Sequence, residues 1–261
     1  MSEPQTPYKI EYKLEVRDLR KEYPGTTALD GVSLGFRGGE VHALLGKNGA
    51  GKSTLVKILS GAVEPTSGQL LIDGEAVRLR SPREAFVRGI ATVYQELSLI
   101  PEFTVGENIL FGRLPRKGAM IDWSQVFART QEVLAQMGVD LDVRQKVSQL
   151  GVASQQVVEI AKAMSFDPKV LLLDEPTSAL AHHEAQSLFA LIRNLAARDV
   201  AIVYISHRLH FPSLAGTARG RRCDVGSARR KIHRHDKHGR RDARNNRAHN
   251  VWRGRSASSP R

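Results

Sequence analysis

Gly46, Lys47, Asn48, Gly49, Ala50, Gly51, Lys52 and Ser53 constrain the fold of this chain more than any other stretch. They spell G-x-x-x-x-G-K-[ST] in full, after an aliphatic run at 41–45 and before a helical pattern at 52–61 that closes at Gly61. A strand, a glycine-rich turn and a helix in that order aim successive backbone N–H groups at an anion, and the helix start adds its positive end. Lys52 is expected to reach the β- and γ-phosphates of a nucleotide, with the Ser53 hydroxyl on Mg²⁺. Thr54, next along the helix, joins them as a binding candidate.

A second run supplies the other half of such a site. Four aliphatic residues at 170–173 read as a strand buried on both faces, and Asp174 and Glu175 follow at once. That strand delivers Asp174 to the sheet edge beside the glycine-rich loop, where it would hold Mg²⁺ directly or through water. Glu175 is then placed to polarise an attacking water as a general base. Paired acids after a strand can also cap the next element, but two halves at this spacing point to phosphate chemistry.

The body alternates short aliphatic runs with longer helical patterns, the mark of an α/β domain with a largely parallel sheet. Residues 14–16 and 31–34 read as early strands. Residues 69–72 and 77–79 read as a hairpin around Asp73 and Gly74, a favoured two-residue turn. Ser81, Pro82 and Glu84 make a helix start, and Asp122 opens an amphipathic helix to about Met137. Further helices are expected at 155–163 and 183–197, and a buried strand at 201–205. Residues 97–165 show no strand pattern and read as a helical subdomain inserted between two parts of the core.

Charge divides the chain in two. The 52 residues from 210 to 261 hold 15 Lys and Arg, 13 of them Arg, against three Asp and Glu, which is the whole net charge of +12. Residues 1–209 carry 24 of each sign. The basic tail has neither helical nor strand periodicity, so disorder is its expectation. No apolar run approaches the roughly 18 residues of a membrane span, and the first residues lack the apolar stretch of a secretory signal. Membrane association is therefore expected through a partner. Cys223, the single cysteine, excludes an intrachain disulfide framework and fits a reducing cytoplasm.

With these residues in place, the chain resembles the nucleotide-binding domain of ABC transporters over roughly 12–209, after an N-terminal extension at 1–11. The resemblance implies a P-loop NTPase fold: a RecA-like core, an antiparallel β subdomain and an inserted helical subdomain at about 97–165. It implies ATP and Mg²⁺ as ligands. Tyr23 matches the aromatic that stacks on adenine, Gln95 the glutamine that senses Mg²⁺ and γ-phosphate, and His207 the switch histidine that contacts the γ-phosphate. Wording around 94–101, 104–109, 158–163 and 174–180 is similar to monosaccharide importers of the ribose, xylose and galactose type. That implies a cytoplasmic ATPase, peripheral on the inner face of the cell membrane. Its implied partners are a second ATP-binding domain, permease subunits and, indirectly, a sugar-binding protein.

The chain departs from the family in three places. The signature that completes the opposite subunit's ATP site is best matched by Leu150, Gly151, Val152, Ala153 and Ser154, with glycine where the family has serine. Glycine keeps the N–H groups but removes one hydrogen bond to a charged acceptor, worth about 1–3 kcal/mol, so a weakened composite site is expected. Ala181 stands where many relatives carry aspartate. The family pattern also stops within a few residues of His207, without its closing strands, which is expected to expose a sheet edge. Three readings of the tail stay open: out-of-frame translation, a native basic tail for nucleic acid or anionic lipid, and an unrecognised fold. Beside the importer stand two alternatives. One is an ABC-type ATPase acting on nucleic acid or ribosomes, which the neutral body disfavours; the other is an inactive frameshifted fragment.

Overall fold

The two aliphatic runs at 170–173 and 201–205 become the centre of a five-stranded parallel sheet, because every residue in them is apolar and both faces of the sheet are covered. The computed structural model describes residues 11–45, 49–206 and 220–223. In chain order, β1 (Leu14–Tyr23) and β2 (Thr26–Phe36) form a hairpin, followed by β3 (Val41–Leu45) and α1 (Lys52–Leu59). Next come β4 (Ser67–Ile72), β5 (Glu75–Val77), α2 (Pro82–Val87) and β6 (Ile90–Val93). The insertion holds α3 (Val105–Ile109), β7 (Arg116–Lys117), β8 (Met120–Ile121), α4 (Trp123–Met137) and α5 (Val152–Met164). The core resumes with β9 (Val170–Asp174), α6 (His182–Ala196), β10 (Ala201–Ser206) and β11 (Gly220–Cys223).

Strand order is β11-β3-β10-β9-β6 in the parallel sheet and β2-β1-β4-β5 in a separate antiparallel sheet. Alternation along the central strands decides what each face meets. Leu171, Leu173, Ile202 and Tyr204 join one buried cluster with residues of α3, α4, α5 and α6. Val170, Leu172, Val203 and Ile205 join another with α1 and the antiparallel sheet. The sheet is thus the wall between the helical insertion and the β subdomain, and its ends cannot shift without opening both clusters.

The α/β reading and the antiparallel subdomain appear as expected. Asp73 and Gly74 do form the two-residue turn, both at positive φ (50° and 85°), so β5 begins at Glu75, two residues earlier than the side-chain pattern suggests. Helix α4 is capped by Asp122, whose carboxylate accepts from Gln125 N–H at 3.1 Å, and closes at Gly138.

Two expectations need correction. The insertion is not wholly helical: β7 and β8 pair as a small hairpin around Gly118 (φ 63°). Strands of two residues are too short to show alternation, so only the glycine signals them. Order also does not end at Leu209. β11 pairs in parallel with β3, Gly220 opposite Val41 and Cys223 opposite Leu44. The edge of β3 expected to lie open is filled there, because backbone pairing needs no apolar pattern in the added strand. His207 and the rest of 210–261 lie outside the described residues, as do Gly46, Lys47 and Asn48.

Helix α1, which begins at the phosphate loop, is stopped by a Schellman turn. Gly61 N–H donates to Ile58 O at 3.0 Å and Ala62 N–H to Lys57 O at 2.8 Å, with Gly61 at φ 73°. A Cβ on Gly61 would lie 2.5 Å from Ser81 O. Gly61→Ala is expected to destabilise the fold by about 2 kcal/mol or more, from left-handed strain plus that collision. Urea denaturation measures it; a loss under about 0.5 kcal/mol would contradict this role for the turn.

Candidate active site at the carboxyl edge of the parallel sheet

The ends of three adjacent strands fix the site. Ser206 pairs with Leu45, and Ile205 pairs with both Leu44 and Asp174, so β3, β10 and β9 finish at one level. Ligands of open parallel sheets bind in the crevice outside such carboxyl ends. The loop after β3 re-enters α1 through Gly51, the helix N-cap, at φ 83°. A Cβ there would lie 2.6 Å from Ala28 O, so only glycine allows this approach to the antiparallel sheet. Gly49 is also at positive φ (79°).

Lys52 opens α1 and is only 6% exposed. Burial pushes its ammonium down from the ordinary value, while Glu175 and then Asp174 pull it back up. Asp174 is pushed up, mainly by burial and then by Glu175, with Lys52 opposing. The three groups feel one another's charge across the strand ends. Glu175 takes a left-handed conformation (φ 49°), and its N–H donates to Ile205 O at 3.0 Å. Such a backbone costs about 1–2 kcal/mol in a residue other than glycine. Behind it, Thr177 Oγ1 and the buried Tyr204 hydroxyl share a hydrogen bond of 2.7 Å. That brace was not read from the sequence, although a tyrosine in an otherwise aliphatic strand signals a polar tip needing a partner.

The other expected residues fall as follows. Ser53 is exposed and Thr54 half-buried on the first turn of α1. Tyr23 closes β1 before a Pro24–Gly25 turn, 40% exposed, with Lys21 Nζ 5.1 Å from its ring centroid. Gln95 is exposed, two residues past Val93, which pairs with Leu173 of β9. It therefore follows the strand beside Asp174.

Leu150, Gly151, Val152, Ala153 and Ser154 belong to a different surface. Gly151 is the N-cap of α5 (φ −66°, ψ 159°) with no side-chain cap, and Val152 is 48% exposed. Ala153 and Ser154 line a groove of about 470 Å³ with Leu180, His183 and Glu184, apart from the phosphate loop. Ala181 caps α6 without a side-chain bond of its own, and Glu184 Oε2 accepts its N–H at 2.8 Å. One chain thus presents the strand-end edge that carries Lys52 and Asp174 and, elsewhere, an open helix N-terminus.

The residues at the edge fit Mg²⁺ and nucleotide. A buried cation at a helix start suits phosphate oxygens. Mg²⁺ usually takes one or two protein ligands, such as Ser53 and Asp174, with phosphates and water completing its shell. Among the described residues no three His, Cys, Asp or Glu side chains gather into a metal cluster.

Comparison with known proteins agrees with this geometry. The family model described as ABC transporter matches residues 29–178, more than half of the chain. A ribose import ATP-binding protein of Streptomyces avermitilis is 49% identical over 196 residues, 75% of this chain and 38% of its own length. A xylose import ATP-binding protein of Thermoanaerobacter pseudethanolicus is 46% identical over 202 residues, 77% of this chain and 40% of its own length. The chain thus spans about two-fifths of the curated relatives it matches. Among solved structures, a nucleotide-free ATP-binding cassette from an ABC transporter superposes with a TM-score of 0.66 at 27% identity, covering 76% of this chain and 82% of its own. The ADP conformation of another cassette gives 0.67 at 27% identity, covering 77% and 83%.

The charge at the edge sets a pH prediction. A folded-state carboxyl held above its unfolded value gives stability that is full below about pH 4 and lost as pH rises through the folded value. At neutral pH, ionised Asp174 therefore costs stability in the nucleotide-free protein. Asp174→Asn is expected to raise Tm near neutral pH, and the gain should shrink toward about pH 4. Thermal unfolding by circular dichroism checks it; a Tm below wild type throughout would contradict it.

Proposed function

Because the chain belongs to the ABC transporter family, we propose that it binds Mg²⁺·ATP at the carboxyl edge of its parallel sheet and hydrolyses it to energise sugar import. The observation that carries this reading is the buried Lys52 ammonium at the start of α1, sharing one electrostatic environment with Asp174 and Glu175. Its similarity to ribose and xylose import ATP-binding proteins supports the sugar.

The backbone N–H groups of Gly49, Ala50 and Gly51 hold the phosphates at the positive end of α1. Lys52 neutralises the β- and γ-phosphates, and Ser53 and Asp174 hold Mg²⁺, whose charge offsets that of the triphosphate. Glu175 orients the attacking water and accepts its proton. Tyr23 offers its ring to adenine, Gln95 contacts the metal-bound γ-phosphate, and His207, following Ser206, contacts the same phosphate.

Residues 150–154 offer their N–H groups to the nucleotide of a second ATP-binding domain, so two domains enclose two nucleotides. Among the described residues no helix is long and apolar enough to cross a membrane. In this reading the chain works on the cytoplasmic face against permease subunits, and a separate binding protein delivers the sugar. The two-fifths coverage of its relatives leaves room for a second domain in the functional unit.

Nucleotide binding followed by fluorescence, and phosphate release, test the scheme together. Lys52→Ala is expected to weaken ATP binding by about tenfold or more. Glu175→Gln should keep binding and lower turnover by about 10²-fold or more. Gly151 has an ordinary φ and nothing within 4 Å of a Cβ, so Gly151→Ser fits without strain. It is expected to raise turnover of the paired domains by roughly tenfold through the added hydrogen bond. Unchanged binding in Lys52→Ala would overturn the nucleotide site; unchanged turnover in Gly151→Ser would overturn the weakened signature alone.

A further inference from the structure

We propose that Glu159 and Lys162 are positioning residues for hydrolysis: together they clamp Ser98, so that the segment after Gln95 and the helix carrying Gly151 move as one body. This rests on the nucleotide-site reading above.

The two side chains lie three residues apart on α5 and so share a face. Glu159 is only 7% exposed, and its Oε1 accepts the backbone N–H of Ser98. Lys162 Nζ donates to the carbonyl of the same residue at 3.3 Å and to its hydroxyl at 3.0 Å. Both backbone polar groups of Ser98 are thereby held by a helix some 60 residues further along the chain. A buried carboxylate receiving a backbone N–H is a charge-assisted bond, stronger than an ordinary one.

Beyond Ser98 the fastening continues. Asn108, 1% exposed, accepts from Ile100 N–H at 2.8 Å and donates to Ile100 O at 3.0 Å and Thr104 O at 3.1 Å. Val147 N–H donates to Phe103 O and Ser148 N–H to Pro101 O, each at 2.9 Å. Those bonds tie the loop to the residues that lead directly into Gly151. Upstream, Ile90–Val93 is a strand of the core sheet. Residues 94–97 join that strand to Ser98, and Gln95 is one of them. A displacement of Gln95 toward the γ-phosphate is transmitted at Ser98 to the middle of α5 and on to its N-terminus. Without the clamp the loop would absorb it.

The test is amide hydrogen exchange on the full chain, with and without Mg²⁺ and a non-hydrolysable ATP analogue. In the wild type the analogue is expected to alter exchange at 94–104 and at 150–156 together. In the Glu159→Ala, Lys162→Ala double variant the response at 94–97 should persist while that at 150–156 falls by about fivefold or more. Analogue affinity should stay within about twofold, with kcat reduced and KM unchanged. Glu159→Gln keeps an acceptor oxygen and should restore the coupled response. If the double variant unfolds, Lys162→Met alone, on a half-buried residue, is expected to show the same uncoupling in weaker form. A full response at 150–156 in a folded clamp variant overturns the proposal. No response anywhere in the wild type defeats the nucleotide site instead, which separates the two failures.

Discussion

A buried ammonium at the first residue of α1, faced by the charges of two carboxylates at the end of β9, is the interaction on which the rest of this molecule depends. Removing charge from water is costly unless opposite charge lies near. Here Lys52 is opposed by Asp174 and Glu175, yet burial still holds Asp174 above its ordinary value. In the proposed function a metal–phosphate group meets both signs of charge at this edge.

That arrangement requires strand ends that do not move. β9 and β10 supply them because each is buried on both faces, one against the helical insertion and the other against α1 and the β subdomain. A slip of one residue would expose apolar side chains to the wrong cluster and carry Asp174 away from Leu45 and Ser206. The left-handed conformation of Glu175 is retained by the bond to Ile205 O and by the Thr177–Tyr204 brace. The helical insertion obeys a different rule. It is joined to this rigid edge through residues 94–97 and through the chain returning to β9, and its own loops are fastened internally.

Much of this was legible in the sequence because each signal had a short physical cause. The glycine-rich loop needed only its own residues, and Val170 to Leu173 needed only their uniform apolarity. Asp122 and Gly138 marked the ends of α4 by capping chemistry alone. The features that escaped depend on residues far apart in the chain. Nothing near Ser98 announces Glu159, and nothing in the Gly-Arg-Arg-Cys segment announces a parallel strand beside β3. The β7–β8 hairpin escaped for the opposite reason, being too short for any periodicity.

The central claim is that this edge binds a nucleotide's phosphates through the N–H groups at the start of α1, with Mg²⁺ between Ser53 and Asp174. A crystal structure of the chain with Mg²⁺ and a non-hydrolysable ATP analogue tests it most directly. The expected result places the β-phosphate on the N–H groups around Gly51 and Lys52, with the metal on the Ser53 hydroxyl. Triphosphate density away from α1, or a metal site without Ser53 and Asp174, would contradict the account.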